Sequence, residues 1–267
     1  MPYVTVGPLP PWMPVDRLLG EGWRVSVDGV TVSAERELDR EAAADVLARL
    51  RGLAFGGLDL QIRVRPPLKR PQVRAGRTRE ARARRDTSPG FVHRGTRLDE
   101  EGRLSLTPEA LALRIGEASA GRRVLDLTCG AGGNAIGFAR AGCTVIAVER
   151  DRERLEDARH NARLYEVADR ITFVHGDARE QVDQHDVDVI FIDPPWGGYD
   201  HRVAVLDDLP LLAELLPRLP PGPALQLKLP PSFDPATLPF PVRVEPLFGE
   251  AGGDWHRVKC LWVHRIA

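Results

Sequence analysis

From residue 96 onward, the chain alternates apolar runs of strand length with segments of helical periodicity. The runs are RRVLDL, CTVIAVE, ITFVHG, VDVIFID and ALQLKLP, and the helical segments include GGNAIGFARAG, RERLEDARHNARLY and a Leu-rich stretch around 205–217. Strands that are apolar throughout are buried on both faces, as in parallel sheets covered by helices on both sides. PVRVEPLF and HRVKCLWVHR read as two further strands around a turn at Gly252-Gly253. The sequence therefore predicts an α/β fold over residues 96–267, a doubly wound, mostly parallel sheet with an antiparallel edge.

Residues 1–65 follow a different pattern and predict a small α+β module. WRVSVDG and VTVSAER alternate apolar and polar residues around the turn Asp28-Gly29, which is typical of a hairpin. Asp39 stands where an N-cap is expected before the helical pattern REAAADVLARLRG, and LDLQIRVRP follows as a strand. We expect three strands and one helix here.

Residues 66–95 predict an Arg-rich linker or arm between the two regions. Between Arg63 and Arg85 there are ten basic residues against one acid, whereas the whole chain carries a net charge of −1. Prolines stand near both ends and few residues are apolar, so we expect disorder or partial helix.

The compartment follows from what the sequence lacks. No run approaches eighteen apolar residues, and the N-terminus has no basic segment followed by an apolar one, so we expect neither a membrane span nor a secretory signal. Cys129, Cys143 and Cys260 are odd in number and without metal-type spacing. Reduced thiols, no metal and a cytoplasmic location are therefore predicted.

The stretch VLDLTCGAGGNA runs from a predicted strand through a glycine turn into a helix. Such a loop brings backbone close to a ligand and directs the N–H groups of a helix start towards it. Gly130, Gly132 and Ala135 also fit the dinucleotide pattern G-x-G-x-x-A, and Glu149 follows 19 residues after Gly130, at the end of the next strand. An NAD site and an S-adenosylmethionine site are both open at this point, as is a loop that only packs a helix on a strand.

Two features favour S-adenosylmethionine. Asp126, before the first glycine, suits a ligand with an ammonium group and would repel a pyrophosphate. Asp177, in GDARE after the third strand, can accept from an adenine amine, and the fourth strand ends in DPPW, which a hydride-transfer enzyme does not need. Cys129 is interpreted as a small filler and not as a nucleophile.

The DPPW motif predicts a site that methylates an amine on an aromatic ring. The nitrogen lone pair of such an amine is delocalised, and acceptors placed around its two N–H bonds turn that lone pair towards the methyl group. Asp193 and the carbonyl of Pro194 can be those acceptors, while Pro194 and Pro195 stiffen the turn. Trp196 offers a face on which a base can stack, worth about 1–3 kcal/mol. Gly197 and Gly198 leave room for the ring.

These motifs resemble those of the trimethylguanosine synthase family, the RNA cap guanine-N2 methyltransferases. The resemblance covers roughly residues 91–267 and rests on LDEEGRLSLTPEALALRI, DLTCGAGGNAIGFARAGCTVIAVERD, ITFVHGD and DPPWGGYD. It implies a Rossmann-like class I methyltransferase fold, S-adenosylmethionine as cofactor, and methylation of the exocyclic N2 amine of guanine.

The resemblance also implies roles for residues at matching positions. Asp193, Pro194, Pro195 and Trp196 would be catalytic, with Trp196 also binding the substrate base. The cofactor-binding candidates are Thr107 (also predicted to cap a helix), Asp126, Thr128, Cys129, Gly130, Gly132, Asn134, Glu149, Arg150, Asp177 and Ala178. Eukaryotic cap enzymes carry Ser where this chain has Asp193, so a 7-methylguanosine cap is not required, and ribosomal or transfer RNA stays open.

RNA is the expected partner, because an arginine-rich arm can lie along phosphates. The candidates are Arg77, Arg82, Arg84 and Arg85, and the alternative is a solvated linker. Three other functions stay open: an N-methyltransferase for an adenine amine or a small molecule such as a nucleotide, a non-catalytic RNA-binding protein, and more distantly a hydride-transfer enzyme.

Overall fold

A computed structural model describes residues 1–197 and 202–266 of the chain. Gly198, which was expected to leave room for a base, lies outside the described residues. In the N-terminal region the elements are β1 (Tyr3–Leu9), α1 (Val15–Leu19), β2 (Arg24–Asp28), β3 (Thr31–Glu37), α2 (Arg40–Leu50), β4 (Ala54–Phe55), β5 (Leu58–Asp59), β6 (Gln61–Arg65) and α3 (Arg70–Ala83).

The N-terminal strands form an antiparallel sheet in the order β2-β3-β1-β6. With α1 and α2 between them, this is the ferredoxin-like order of a split βαβ motif. The predicted hairpin, the helix α2 and the strand β6 are present, and Asp39 caps α2 by accepting from the Ala42 N–H at 2.8 Å. The prediction missed β1, although it is central, because prolines surround YVTV and hide its alternation. Val4 and Val6 of β1 are fully buried.

The Arg-rich segment is helical over α3, which packs along α2. Gly76 lies at the contact, where a Cβ would come within 2.5 Å of the Ala44 carbonyl oxygen. Arg79 forms an ion pair with Asp45 at 2.7 Å. The helical part of the predicted arm thus packs on α2, and the part after it is bonded to the second region, where Ser88 N–H donates to the Asp254 carboxylate at 2.8 Å. The division of the chain at residues 65 and 95 stays a prediction.

The second region contains α4 (Glu100–Ser105), α5 (Glu109–Glu117), β7 (Arg123–Asp126), α6 (Gly133–Arg140), β8 (Thr144–Glu149), α7 (Arg152–Leu164), β9 (Ile171–His175), α8 (Ala178–Gln181), β10 (Val189–Ile192), α9 (Pro210–Leu215), β11 (Ala224–Leu229), β12 (Val242–Phe248) and β13 (Val258–Arg265). Its sheet has the order β12-β13-β11-β10-β7-β8-β9. Strands β7 to β11 pair in parallel, and β13 is antiparallel to β11 and β12. The predicted doubly wound sheet with an antiparallel edge is confirmed.

The core of this region lies on both faces of the sheet. Val124 belongs to one buried cluster and the next residue, Leu125, to the other, as the alternation of a strand requires. A third cluster fills the N-terminal region and includes Phe248 of β12. The chain reverses its winding between β7 and β10, and in such folds ligands bind at the carboxyl ends of the strands near this switch point.

Two sequence predictions are wrong in detail. Thr107 does not cap α5, because the helix begins at Glu109 and Pro108 occupies the N-cap position without a side-chain hydrogen bond. The predicted Leu-rich helix is the six-residue α9 flanked by 3₁₀ turns, since Pro210 and Pro217 interrupt the pattern. In the parts of the chain that the structure describes, no helix has the length and apolarity to cross a membrane.

Candidate functional site

The site lies where β7, β8, β10 and β11 end side by side. Two backbone hydrogen bonds join the loop after β7 to its neighbours: Leu127 N–H donates to the Phe191 carbonyl at 3.1 Å, and Cys129 N–H donates to the Val148 carbonyl at 2.9 Å. The sequence placed the glycine loop and DPPW at strand ends, and the parallel register brings both to one edge of the sheet.

The two glycines of the loop serve different purposes. Both have left-handed backbone, with φ of 53° at Gly130 and 92° at Gly132. A Cβ at Gly130 would meet nothing within 4 Å, whereas one at Gly132 would lie 3.2 Å from the Ala158 Cβ. Gly130 therefore borders open space in which a ligand can approach the backbone, and Gly132 allows the loop to pack on α7.

Asp126 is a fully buried carboxyl group at the base of the loop. Its Oδ1 accepts from the Thr128 N–H at 3.2 Å, and its Oδ2 has no hydrogen-bond partner among the described residues. Burial raises the pKa of Asp126 to about 8, and the charges of Asp193 and Glu149 add to this rise. Such a carboxyl group gains strongly from a cation placed beside it.

Glu149 holds the glycine loop in place. Its Oε2 accepts from the Gly130 N–H and its Oε1 from the Asp151 N–H, each at 2.9 Å. A carboxylate oxygen has a second lone pair, so a ribose hydroxyl can still donate to it. Arg150, beside it, is exposed.

The carboxylate of Asp177 is bonded within the helix that it begins. It caps α8 by accepting from the Arg179 N–H at 2.8 Å, and it forms an ion pair with the Arg179 guanidinium at 3.1 Å. Ala178 is buried at the start of that helix. The adenine-binding role predicted for Asp177 and the cofactor-binding role predicted for Ala178 stay predictions.

Asp193 connects DPPW to the glycine loop. Its backbone N–H donates to the Thr128 hydroxyl at 2.9 Å, and its Oδ2 accepts from the Asn134 amide at 3.2 Å. Asn134 itself is buried and keeps an unpartnered Oδ1 within residues 1–197 and 202–266. Three residues that the sequence assigned to two separate motifs are thus in direct contact.

Lys228 is the site residue that sequence reasoning missed. Its Nζ lies 2.7 Å from Asp193 Oδ2 and donates to the Ser105 carbonyl at 3.2 Å, and its side chain is only 4% exposed. Burial raises the pKa of Asp193, and the Lys228 charge opposes that rise. The sequence does contain a feature that could have indicated Lys228, because it is a charged residue inside the apolar strand segment ALQLKLP. That strand, β11, pairs with β10 in the sheet.

Trp196 is half-buried and packs against both core clusters of the large sheet. Its Nε1 is buried and lacks a hydrogen-bond partner in the described part of the chain. The Lys228 ammonium lies 4.9 Å from the centroid of its ring. Pro194 is buried and Pro195 exposed, so the turn presents one proline to solvent beside the indole.

The segment before α5 covers the glycine loop. A Cβ at Gly133 would lie 2.5 Å from Leu106 Cδ1, so this leucine sits directly on the start of α6. The Thr107 hydroxyl is buried, and no hydrogen bond to it is found in the described ranges. Thr107 therefore retains a free polar group for a ligand, although it does not cap the helix.

The arginines predicted to bind RNA lie on and just after α3, in the N-terminal region. Arg77 and Arg82 are exposed on α3, and Arg84 and Arg85 are exposed just after it. Arg84 is bonded to Glu80 at 3.3 Å. The end of α3 contacts the turn between β12 and β13, where a Cβ at Gly252 would come within 2.8 Å of the Asp86 carboxylate.

Comparison with known proteins gives a family match over part of the chain. Residues 121–210 match the family model described as RNA cap guanine-N2 methyltransferase. Trimethylguanosine synthase of Saccharomyces cerevisiae is 33% identical over 107 residues, which are 36% of this chain and 34% of the yeast protein. The 23S rRNA (uracil(1939)-C(5))-methyltransferase RlmD of Xylella fastidiosa is 38% identical over 106 residues, 38% of this chain and 23% of that enzyme.

Among solved structures, an RNA methyltransferase from Salinibacter ruber in complex with S-adenosyl-L-homocysteine is 22% identical. The match covers 59% of this chain and 87% of that one, with a TM-score of 0.40. The chain thus spans about a third or less of the two curated relatives named above. The family match confirms the resemblance for this part of the chain. Together with the sheet order, it identifies the fold as that of class I S-adenosylmethionine-dependent methyltransferases.

Proposed function

We propose that this protein is an S-adenosylmethionine-dependent N-methyltransferase that acts on the exocyclic N2 amine of guanine in RNA. The observation that carries the proposal is the contact between Asp193 and the glycine loop, made through Asn134 and Thr128. This contact supports a role for Asp193 as an acceptor for the amine beside the loop where the methyl donor would bind.

The residues around the loop fit the cofactor. Around the loop, three of the buried polar atoms that lack partners among the described residues belong to sequence motifs assigned to the cofactor: Asp126 Oδ2, Asn134 Oδ1 and the Thr107 hydroxyl. A ligand with an ammonium and a carboxylate group, as at the methionine end of S-adenosylmethionine, can satisfy such atoms. Glu149 and Asp177 would hold the ribose and the adenine. When bound, the cofactor supplies an electrophilic methyl group.

Asp193 and Pro194 would orient the guanine amine. Lys228 and Asn134 both bond Asp193 Oδ2, which leaves Oδ1 to accept one N–H of the amine. The Pro194 carbonyl accepts the other N–H, so the lone pair faces the methyl carbon. The bound cofactor would supply the methyl group and leave as S-adenosylhomocysteine, and Asp193 would accept the proton that the methylated amine loses and pass it to solvent.

RNA as substrate is supported by the matched family and by the activities for which the relatives are named. The exposed arginines on and after α3 carry positive charge that can neutralise phosphates. These arginines belong to the N-terminal region, which lies outside the matched residues.

Methylation of uracil C5 is a second candidate, because a relative has that activity, but the cysteines argue against it. Methyl transfer to a ring carbon of this kind needs a nucleophile that first adds to the ring, and a thiolate is the ordinary choice. All three cysteines are buried. Burial raises the pKa of each thiol, that of Cys260 to about 12. None is suited to attack a base.

The experiment that tests the proposal is transfer of labelled methyl from S-adenosylmethionine to RNA by the purified chain. Removal of the acceptor in Asp193→Ala should lower the rate by about 100-fold or more, the scale of one lost transition-state contact. Trp196→Ala should weaken RNA turnover by about tenfold or more through lost stacking. Asp183→Ala, on the exposed surface, is the matched control. Full transfer by both site variants would contradict the proposal.

A further inference from the structure

Lys228 touches both halves of the proposed amine site at once. Its ammonium pairs with Asp193 Oδ2 at 2.7 Å and lies 4.9 Å from the centroid of the Trp196 ring. The Ser105 carbonyl fixes the same ammonium at 3.2 Å. With 4% of its side chain exposed, Lys228 has little freedom to leave this position.

The first consequence concerns charge. In the proposed site Asp193 is the carboxylate that accepts from the base amine, and Lys228 pairs with it at 2.7 Å. A neutral pair offers no net attraction to a positively charged ring. An unpaired carboxylate in the same place would attract one strongly, because burial strengthens electrostatic interactions.

The second consequence concerns the indole. Aromatic faces attract cations that lie within about 6 Å of the ring centroid. Lys228 already occupies that interaction with Trp196. A second cation stacked on the same indole would gain less and would also be repelled by the ammonium.

Guanine and 7-methylguanine differ in this property, since methylation at N7 gives the ring a positive charge. We propose that Lys228 is a specificity-determining residue that makes the site select a neutral guanine over a 7-methylguanine cap. This inference rests on the proposed function and names its substrate class: guanine within or at the end of an RNA without a cationic cap.

The test is a calorimetric comparison of guanosine monophosphate with 7-methylguanosine monophosphate, bound to the full chain saturated with S-adenosylhomocysteine. The two nucleotides carry the same phosphate, so the ratio of their dissociation constants reports the ring charge. The wild-type chain should bind guanosine monophosphate more tightly. Lys228→Met removes the cation and keeps side-chain size, so it leaves Asp193 without its partner and the indole without its ammonium. It should shift the ratio towards the 7-methyl form by about 5-fold or more.

Lys228→Arg keeps the cation and should keep the wild-type preference, which separates charge from loss of packing. Tighter wild-type binding of the 7-methyl nucleotide, no binding of either nucleotide, or an unchanged ratio in Lys228→Met would each overturn the inference. Failure of the proposed function is distinguishable, because it would appear as absent methyl transfer to RNA whatever the nucleotide preference.

Discussion

At the scale of single residues, the site contains two buried carboxyl groups in opposite situations. Asp193 has Lys228 beside it, and Asp126 has an unpartnered oxygen in the described structure. Sequence reasoning found both acids, because each ends a strand in a recognisable motif. It did not find Lys228, since an ion pair between residues 35 positions apart depends on two strands being neighbours in the sheet.

Cofactor affinity should therefore depend on pH through Asp126. Its pKa is raised from 3.8 to about 8, so the free protein holds this carboxyl protonated below pH 8, while an ammonium ligand needs it ionised. Binding then releases a proton, and affinity should rise by up to about tenfold per pH unit until about pH 8 and level off above. Calorimetry from pH 6 to 9 in buffers of different ionisation enthalpy measures this.

Asp126→Asn is the control, because it should bind more weakly at pH 8 and lose the dependence on pH. Folding stability should depend on pH in the opposite direction to cofactor affinity. Because the pKa of Asp126 is raised in the folded chain, its contribution to the free energy of unfolding is lost as pH rises from about 4 to 8. Affinity that stays flat between pH 6 and 8 in the wild-type chain would contradict this account of Asp126.

At the scale of elements, the second region is predictable because each strand is an apolar run and each turn carries glycine or an acid. The strand β1 was not predictable, since its buried alternation extends over only a few residues between prolines. Nor was the packing of α3, because the helix is mostly polar and its contact depends on one glycine, Gly76, which fits against α2. The periodicity of a sequence shows which face of a helix is apolar. It does not show where one residue, such as a glycine, lets two helix backbones come close together.

The close crossing of α5 and α6 depends on Gly116 and Gly137, and it gives a stability prediction. A Cβ at Gly137 would lie 2.5 Å from the carbonyl carbon of Ala112, and both helices are fixed on the sheet. Gly137→Ala should therefore lower the free energy of unfolding by about 1–3 kcal/mol through overpacking. Denaturant unfolding measures this. Gly176→Ala is the matched control, since the nearest atom to its Cβ is 3.5 Å away in a side chain. Equal stability of the two variants would contradict the tight crossing.

At the scale of the whole molecule, the charge is divided between an arginine-rich N-terminal helix and a more acidic remainder. The sequence composition predicted this division of charge. The structure adds which arginines form ion pairs with acidic residues, such as Arg79, and which are exposed to solvent. It also places α3 against the turn between β12 and β13. The arm is thus fixed to the methyltransferase region by its end.

RNA binding should depend on the exposed arginines of the arm. The triple variant Arg77→Gln, Arg82→Gln and Arg85→Gln should bind RNA less tightly and reduce the slope of log affinity against log salt by about 2. Cofactor affinity should be unchanged. The control triple Arg51→Gln, Arg170→Gln and Arg218→Gln removes equal charge from exposed positions elsewhere. Filter binding across a salt series compares them, and equal slopes would show that the arm does not contact phosphates.

The identity of the methylated nucleoside tests the central claim most directly. RNA treated with the purified chain and S-adenosylmethionine would be digested and its nucleosides separated by mass spectrometry. The contact of Asp193 with the glycine loop leads us to expect N2-methylguanosine. A methyl group on uracil C5, or on no base at all, would contradict the account of an amine held beside the methyl donor.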